Sequence, residues 1–172
     1  MKRWQKHVFV TATLLVFAGS ISFASVIQDK PVVVTGADLT RLVPSSFYFK
    51  GQSAPTQVRN TSAAKLGAER FVIVGLVDTS GYSADVRAKY EGFFITDSPI
   101  KVNGEALPTG AYGFGFSSDG KMRVMDIAGN DVLLVSSTND KDLKRPRPLM
   151  MTASGEGVRF YSRRDYVTIT AN

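Results

Sequence analysis

The 172-residue chain contains no cysteine, one histidine (His7) and one tryptophan (Trp4), and both single residues fall within the first 24 positions. Disulfides, thiolate chemistry and cysteine-bound metal are therefore excluded. If the first 24 residues are removed, imidazole disappears too, and with it the commonest general base and metal ligand. No apolar run after residue 24 is long enough to cross a bilayer as a helix, which takes ~20 residues. Nor is charge strongly biased beyond that point: 18 Lys+Arg face 15 Asp+Glu, so the formal charge drops from +6 to +3. An excess this small is ordinary for a solvated surface and makes no case for nucleic acid as a partner.

What is present begins with the amino-terminal segment. Lys2, Arg3 and Lys6 form a positive cluster, and no acidic residue occurs before Asp29. A short apolar stretch, Val8–Ala18, follows, and Ser22-Phe23-Ala24 places small residues where a signal peptidase reads them. This is the three-part secretory pattern. We therefore expect residues 1–24 to be a signal peptide cleaved after Ala24 and residues 25–172 to form a single β-rich domain, exported to the periplasm or secreted. The remaining 148 residues are enough to bury a core without disulfide or metal, and eight Phe and six Tyr supply apolar area for it.

Most of the chain reads as short strands with turn punctuation. Pro31–Val34 is a strand, and Thr35-Gly36-Ala37-Asp38 resembles a capping box that opens a short helix ended by Pro44. Ser46–Lys50 is extended, and the polar stretch Gly51–Asn60 is expected to be loop. Arg70–Val77, β-branched and apolar on both faces, belongs in the middle of a sheet. Asp78–Tyr82 is a turn, and Ser83–Lys89 supplies one or two helical turns. Glu91–Thr96 is a strand. Asn103-Gly104 sits between Ile100–Val102 and Glu105–Leu107, the sequence of a tight type I′ hairpin. A second hairpin joins Ala111–Phe116 to Lys121–Ile127, and Val132–Ser136, Leu149–Ala153, Val158–Tyr161 and Tyr166–Thr170 complete the set. Strands at this spacing predict a mainly β fold with one or two short helices, an antiparallel β-sandwich ahead of a closed β-barrel.

Three blocks, Lys89–Asp97, Leu107–Phe116 and Lys144–Leu149, resemble segments shared by a family of uncharacterised exported bacterial β-rich proteins. The step Gly104–Tyr112 is similar to one in small bacterial β-domains. The resemblance spans roughly residues 50–170. It implies export and a β-rich fold, and it carries no activity and no site residues.

Several local patterns have a chemical and a plain reading. Leu76-Val77-Asp78-Thr79-Ser80-Gly81 is similar to the apolar-apolar-Asp-Thr-Gly loop of aspartic proteases, but Ser80 breaks the turn and a second copy is missing. An aspartate opening a turn through its own backbone contacts accounts for it. Ser62-Ala63-Ala64-Lys65 has the S-x-x-K spacing of penicillin-recognising serine enzymes without a Lys-Thr-Gly triplet. A carboxylate pair for glycoside hydrolysis would have to come from Asp119, Asp126, Asp131, Asp140 or Asp142, most of them in Gly- or Asn-containing turns. Asn139-Asp140-Lys141-Asp142 lacks the glycine and distal glutamate of a calcium loop.

Tyr112-Gly113-Phe114-Gly115-Phe116 puts three aromatic rings on one face of a strand and two glycines on the other. That arrangement makes either an aromatic ligand platform around Tyr112 or a core strand against which a neighbour packs closely. Lys144-Arg145-Pro146-Arg147-Pro148 is a stiff extended segment that presents Arg145 and Arg147 for carboxylate or phosphate recognition, and Arg163-Arg164 is a second basic spot. The leading expectation is a non-enzymatic, envelope-associated binding module for a small ligand, glycan or envelope protein, with no cofactor and the oligomeric state open. A small carboxylate-dependent hydrolase using Asp78 or Asp126, and a lipocalin-like carrier of an apolar ligand, are the alternatives.

Overall fold

A computed structural model of the chain describes residues 30–67 and 70–172. The expected signal peptide and its cleavage point lie outside the described residues. Within them, strand β1 (Val32–Val34) leads into helix α1 (Gly36–Leu42), which starts where the capping pattern places it. The Thr35 side chain makes no capping hydrogen bond, and no residue of α1 is buried. Strand β2 (Ser46–Phe49) then pairs with β3 (Gln52–Lys65) through a two-residue turn at Lys50-Gly51. Both turn residues have positive φ, 47° and 87°, the geometry that suits the right-handed twist of a hairpin.

The loop expected over Gly51–Asn60 is therefore corrected. It is the first part of the longest strand in the fold. Its sequence looks like loop because one side of this stretch faces water, and because the register against β4 (Phe71–Val77) shifts between Thr56 and Thr61. Proline at position 55 is tolerated since it pairs with β2 at the hairpin margin.

Helix α2 (Ala84–Arg87) is one turn, the shorter of the one or two turns expected over Ser83–Lys89, and it precedes β5 (Gly92–Thr96). The hairpin β6 (Ile100–Val102) and β7 (Glu105–Leu107) turns at Asn103-Gly104, with φ of 49° and 88°. Then follow β8 (Gly110–Ser117), β9 (Lys121–Met125) and β10 (Asp131–Ser136), a two-residue β11 (Thr138–Asn139), β12 (Arg147–Ser154), β13 (Gly157–Arg163) and β14 (Asp165–Ala171).

All pairings are antiparallel, and the strands form two sheets. The first runs β1-β3-β4-β5-β8-β9-β10, with β2 attached to β3. The second runs β12-β13-β14-β6-β7, with β11 attached to β14. The β6–β7 hairpin thus crosses out of the first sheet between β5 and β8 and joins the second. The result is a sandwich among the described residues, not the closed barrel kept as the alternative.

Where sheet margins approach, side chains link them in place of a ladder. The Met151 amide donates to Ser62 Oγ at 3.1 Å, and the Asn103 side chain donates to the Ser136 carbonyl at 2.7 Å while accepting from the Thr168 amide.

Between the sheets lies one core. Phe160 of β13 meets Phe94, Phe114 and Phe116 of the first sheet, with ring centroids 6.0, 5.2 and 5.5 Å away. Val72, Val74, Met122 and Val124 face Val158, Val167 and Ile169 around them. Tyr112 belongs to this layer too, 9% exposed, with its hydroxyl donating to the Pro108 carbonyl.

A second core covers the outer face of the first sheet. There the β2–β3 hairpin and the α2 segment bring Phe47, Phe49, Tyr82, Val86 and Tyr90 over Phe93, Val77 and Met125. Phe49 and Tyr90 stack at 3.9 Å, and Tyr82 meets Tyr90 edge-on at 5.3 Å. The glycine face of β8 is what lets them in: a Cβ on Gly113 would sit 2.5 Å from the Phe49 ring and 3.1 Å from Tyr90. The core-strand reading of Tyr112–Phe116 thus matches the observed packing.

We expect Gly113→Ala to lower unfolding free energy by about 1–3 kcal/mol, since an added methyl in a filled site must displace both rings. Phe49→Leu in the same chain should return part of that loss. Urea unfolding of the two single variants and the double variant measures the coupling, and strict additivity would show that the two side chains do not compete for the same space.

A candidate basic trough

The pairing of β12 with β13 sets Arg147 directly opposite Arg163. Side chains at such positions are roughly 4.5–5.5 Å apart at Cβ, and like charges there oppose strand pairing. Arg163 also has a φ of 58°, a left-handed conformation that disfavours a side chain with Cβ. Pro148 falls where the β12 register shifts, between Arg147 and Met150, so its missing N–H breaks no regular ladder there.

Two clefts open beside this pair, and Pro148 lines both. The larger, about 460 Å³, lies between β1, the start of α1, the irregular stretch of β3 and the start of β12. Arg59 and Arg147 line it, and no carboxylate among the described residues does. The smaller, about 190 Å³, is lined by Gln57, Thr79, Arg87, Tyr90, Glu91, Ser162 and Arg163, among others. Four arginines from β3, α2, β12 and β13 therefore line these two clefts, which share Pro148, and Glu91 is the one acidic group among the described lining residues; we call the two clefts together a trough.

The fold draws Glu91 inward. Its amide donates to the Phe114 carbonyl and its carbonyl accepts from Val77, which locks the residue to β8 and β4 just before β5 begins. Its side chain is 23% exposed, with Arg163 at 3.8 Å and the Ser162 hydroxyl at 3.5 Å. Burial pushes the Glu91 carboxyl above its ordinary value. Arg163, a backbone hydrogen bond from Phe116 and Ser162 oppose that shift without cancelling it. Tyr90, next along the chain, has its phenol raised well out of its ordinary range by burial first and by the neighbouring Tyr82 second. It stays neutral.

Of the residues singled out from sequence, Arg147 and Arg163 come together in the trough. Arg164 does not join them. Its guanidinium donates to the carbonyls of Asp140, Lys141 and Leu143 at 3.3, 3.1 and 2.8 Å, pinning the 140–143 turn. Arg145 is exposed on the segment leading into β12, and neither it nor Tyr112 lines these two clefts. Arg59, Arg87 and Glu91 carry no sequence motif; only the β3 irregularity and the β12–β13 register bring them to the same place.

Five of the six acidic candidates accept hydrogen bonds or pair with a cation, and Asp142 is exposed. Asp78 accepts from the Ser80 amide, which holds its carboxyl below the usual value. Asp126 accepts from the amide and side chain of Asn130 with the same effect. Asp119 takes the Ser117 hydroxyl and pairs with Lys121, Asp131 pairs with Arg123, and Asp140 accepts from Tyr161 and from the Asp142 amide.

Ser62 points into the inner face at 6% exposure, and Lys65, three residues along the same strand, projects to the opposite face over the Phe71 ring. The S-x-x-K spacing thus parts the two groups instead of joining them. No three His, Cys, Asp or Glu side chains among the described residues cluster as metal ligands do, and no helix there is long and apolar enough to cross a membrane. The chain matches no protein-family model, and comparisons with curated proteins and with solved structures yield no match.

Ionising Glu91 in its buried setting opposes folding. A carboxyl with a raised folded-state pKa favours folding most when protonated, and that contribution is lost as pH rises through the folded value. Glu91→Gln is therefore expected to raise the urea midpoint at pH 7 and to leave it nearly unchanged near pH 4; equal effects at both pH values would show that desolvation is not the cause. Arg164→Ala should instead destabilise by about 1–3 kcal/mol at either pH, because three carbonyls lose their donor.

Proposed function

We propose that the protein is an exported, non-enzymatic binding module whose trough takes an anionic ligand. The observation that carries this reading is the cross-strand pair Arg147 and Arg163. Two like charges face each other across a ladder, one of them on a backbone conformation suited to glycine. The facing charges oppose strand pairing, and the positive φ that closes the β13–β14 hairpin at Arg163, as at Lys50 and Asn103, is here carried by a charged side chain where glycine or asparagine is usual. An anion between the guanidinium groups would convert repulsion into two charge-assisted contacts. Glu91 supplies partial neutralisation from one side only. The secretory pattern of residues 1–24 and the resemblance of residues 50–170 to exported β-rich proteins support location in the envelope or medium.

The expected signature is a trade between stability and binding. Arg163→Gly and Arg147→Thr should each leave the melting temperature in the absence of ligand equal to or above that of the parent. Both should abolish the rise in melting temperature that the parent shows with millimolar inorganic phosphate. If the parent gains no thermal stability from phosphate, or the variants gain as much as the parent, the trough is not an anion site. For export, mass spectrometry of the protein from an envelope fraction should give a chain starting at Ser25, and retention of Trp4 would overturn cleavage at that point.

A further inference from the structure

The larger cleft differs from the smaller one in a way that narrows the ligand. Its two charged groups, Arg59 and Arg147, are unaccompanied by any acidic residue among the described ones, while Val33, Leu39, Val58 and Met150 supply apolar wall. Val58 is 56% exposed, a branched apolar side chain held in water on the irregular part of β3. An irregularity of this kind re-aims side chains, and here it sets Val58 and Arg59 both on the cleft. Above them α1 buries no residue of its own, so Leu39 has apolar surface left to cover. Met150 adds an unbranched side chain that adapts to an irregular occupant.

Resting on the anion reading of the trough, we infer that the cleft between α1, β3 and β12 takes a single-chain anionic amphiphile, its charged head between Arg59 and Arg147 and its alkyl chain against Val33, Leu39 and Val58. The charge complementarity is one-sided: cationic groups with no carboxylate select a negative head. The volume, about 460 Å³, lies in the lower half of the ~300–1,000 Å³ range of small-molecule sites and suits one alkyl chain. Apolar burial holds the tail, and the guanidinium pair supplies selectivity for the head.

The test is calorimetric titration of the purified protein with decanoate below its micelle concentration. Acetate serves as the tail-less carboxylate and decanol as the headless chain. Decanoate is expected to bind in the micromolar range, with acetate and decanol each weaker by about tenfold or more. Arg59→Gln and Arg147→Gln should each weaken decanoate by about tenfold. Val58→Ser, an uncharged change at an exposed position, should weaken decanoate about threefold or more by removing apolar wall.

If decanoate binds no tighter than acetate while phosphate still stabilises the parent, the amphiphile inference falls and the anion reading stands. If phosphate has no effect and decanoate does not bind, both fall. Decanol binding as tightly as decanoate, unaffected by either arginine change, would reduce the site to apolar adsorption and overturn the inference.

Discussion

The close approach of aromatic rings to the glycine face of the first sheet organises the rest of the molecule. A sheet buried on one face needs only a partner sheet, whereas this one is buried on both. Its inner side meets Phe160 and the β13–β14 strands, and its outer side receives Phe49 and Tyr90 over Gly113. The second contact requires the β2–β3 hairpin to fold back and the α2 turn to dock. It also supplies the packing that a chain without disulfides must find elsewhere, since stacked and edge-on rings add to their buried area.

That outer core has a direct effect on the trough. Tyr90 is held by its stack, so Glu91, one residue on, is carried to the rim beside Ser162 and Arg163. Arg87 arrives on the same turn. The β3 strand, having served the hairpin, loses register against β4 before it reaches β1, and Arg59 lies in that stretch. The basic trough is therefore a by-product of how the outer core is capped at one end, with β12 and β13 completing it from the other sheet.

Strand positions were legible wherever alternation or turn chemistry is local. Asn103-Gly104 has the residues of its turn type, and Phe114 with its flanking glycines announces a strand with one large and one small face. Lys50-Gly51 forms the same kind of turn but offers only the glycine as a signal, and so β3 reads as loop. The polar run that follows is polar because water covers one side of it, a fact of tertiary placement. The site was half legible. Arg147 stands out between prolines, yet its meeting with Arg163 depends on a register set sixteen positions away. The Arg163-Arg164 pair reads as one basic spot, but the left-handed turn at Arg163 sends the neighbours to different tasks: Arg163 edges the trough and Arg164 ties a loop. Glu91 carries no motif at all, because its burial comes from Tyr90's stack.

The crossing of the β6–β7 hairpin bears on the order in which the chain can assemble. Ile100 pairs with Ala171 and Val102 with Ile169, so β6 waits for a strand nearly seventy residues later. A chain delivered end first, from a ribosome or through a pore, can zip β3, β4 and β5 early, but those strands then present an apolar face with nothing opposite it. Until residues 165–171 are made the second sheet lacks its central strand, and the long sequence separation of that pairing slows its formation. The topology thus defers completion of the second sheet until β14 is available to pair with β6.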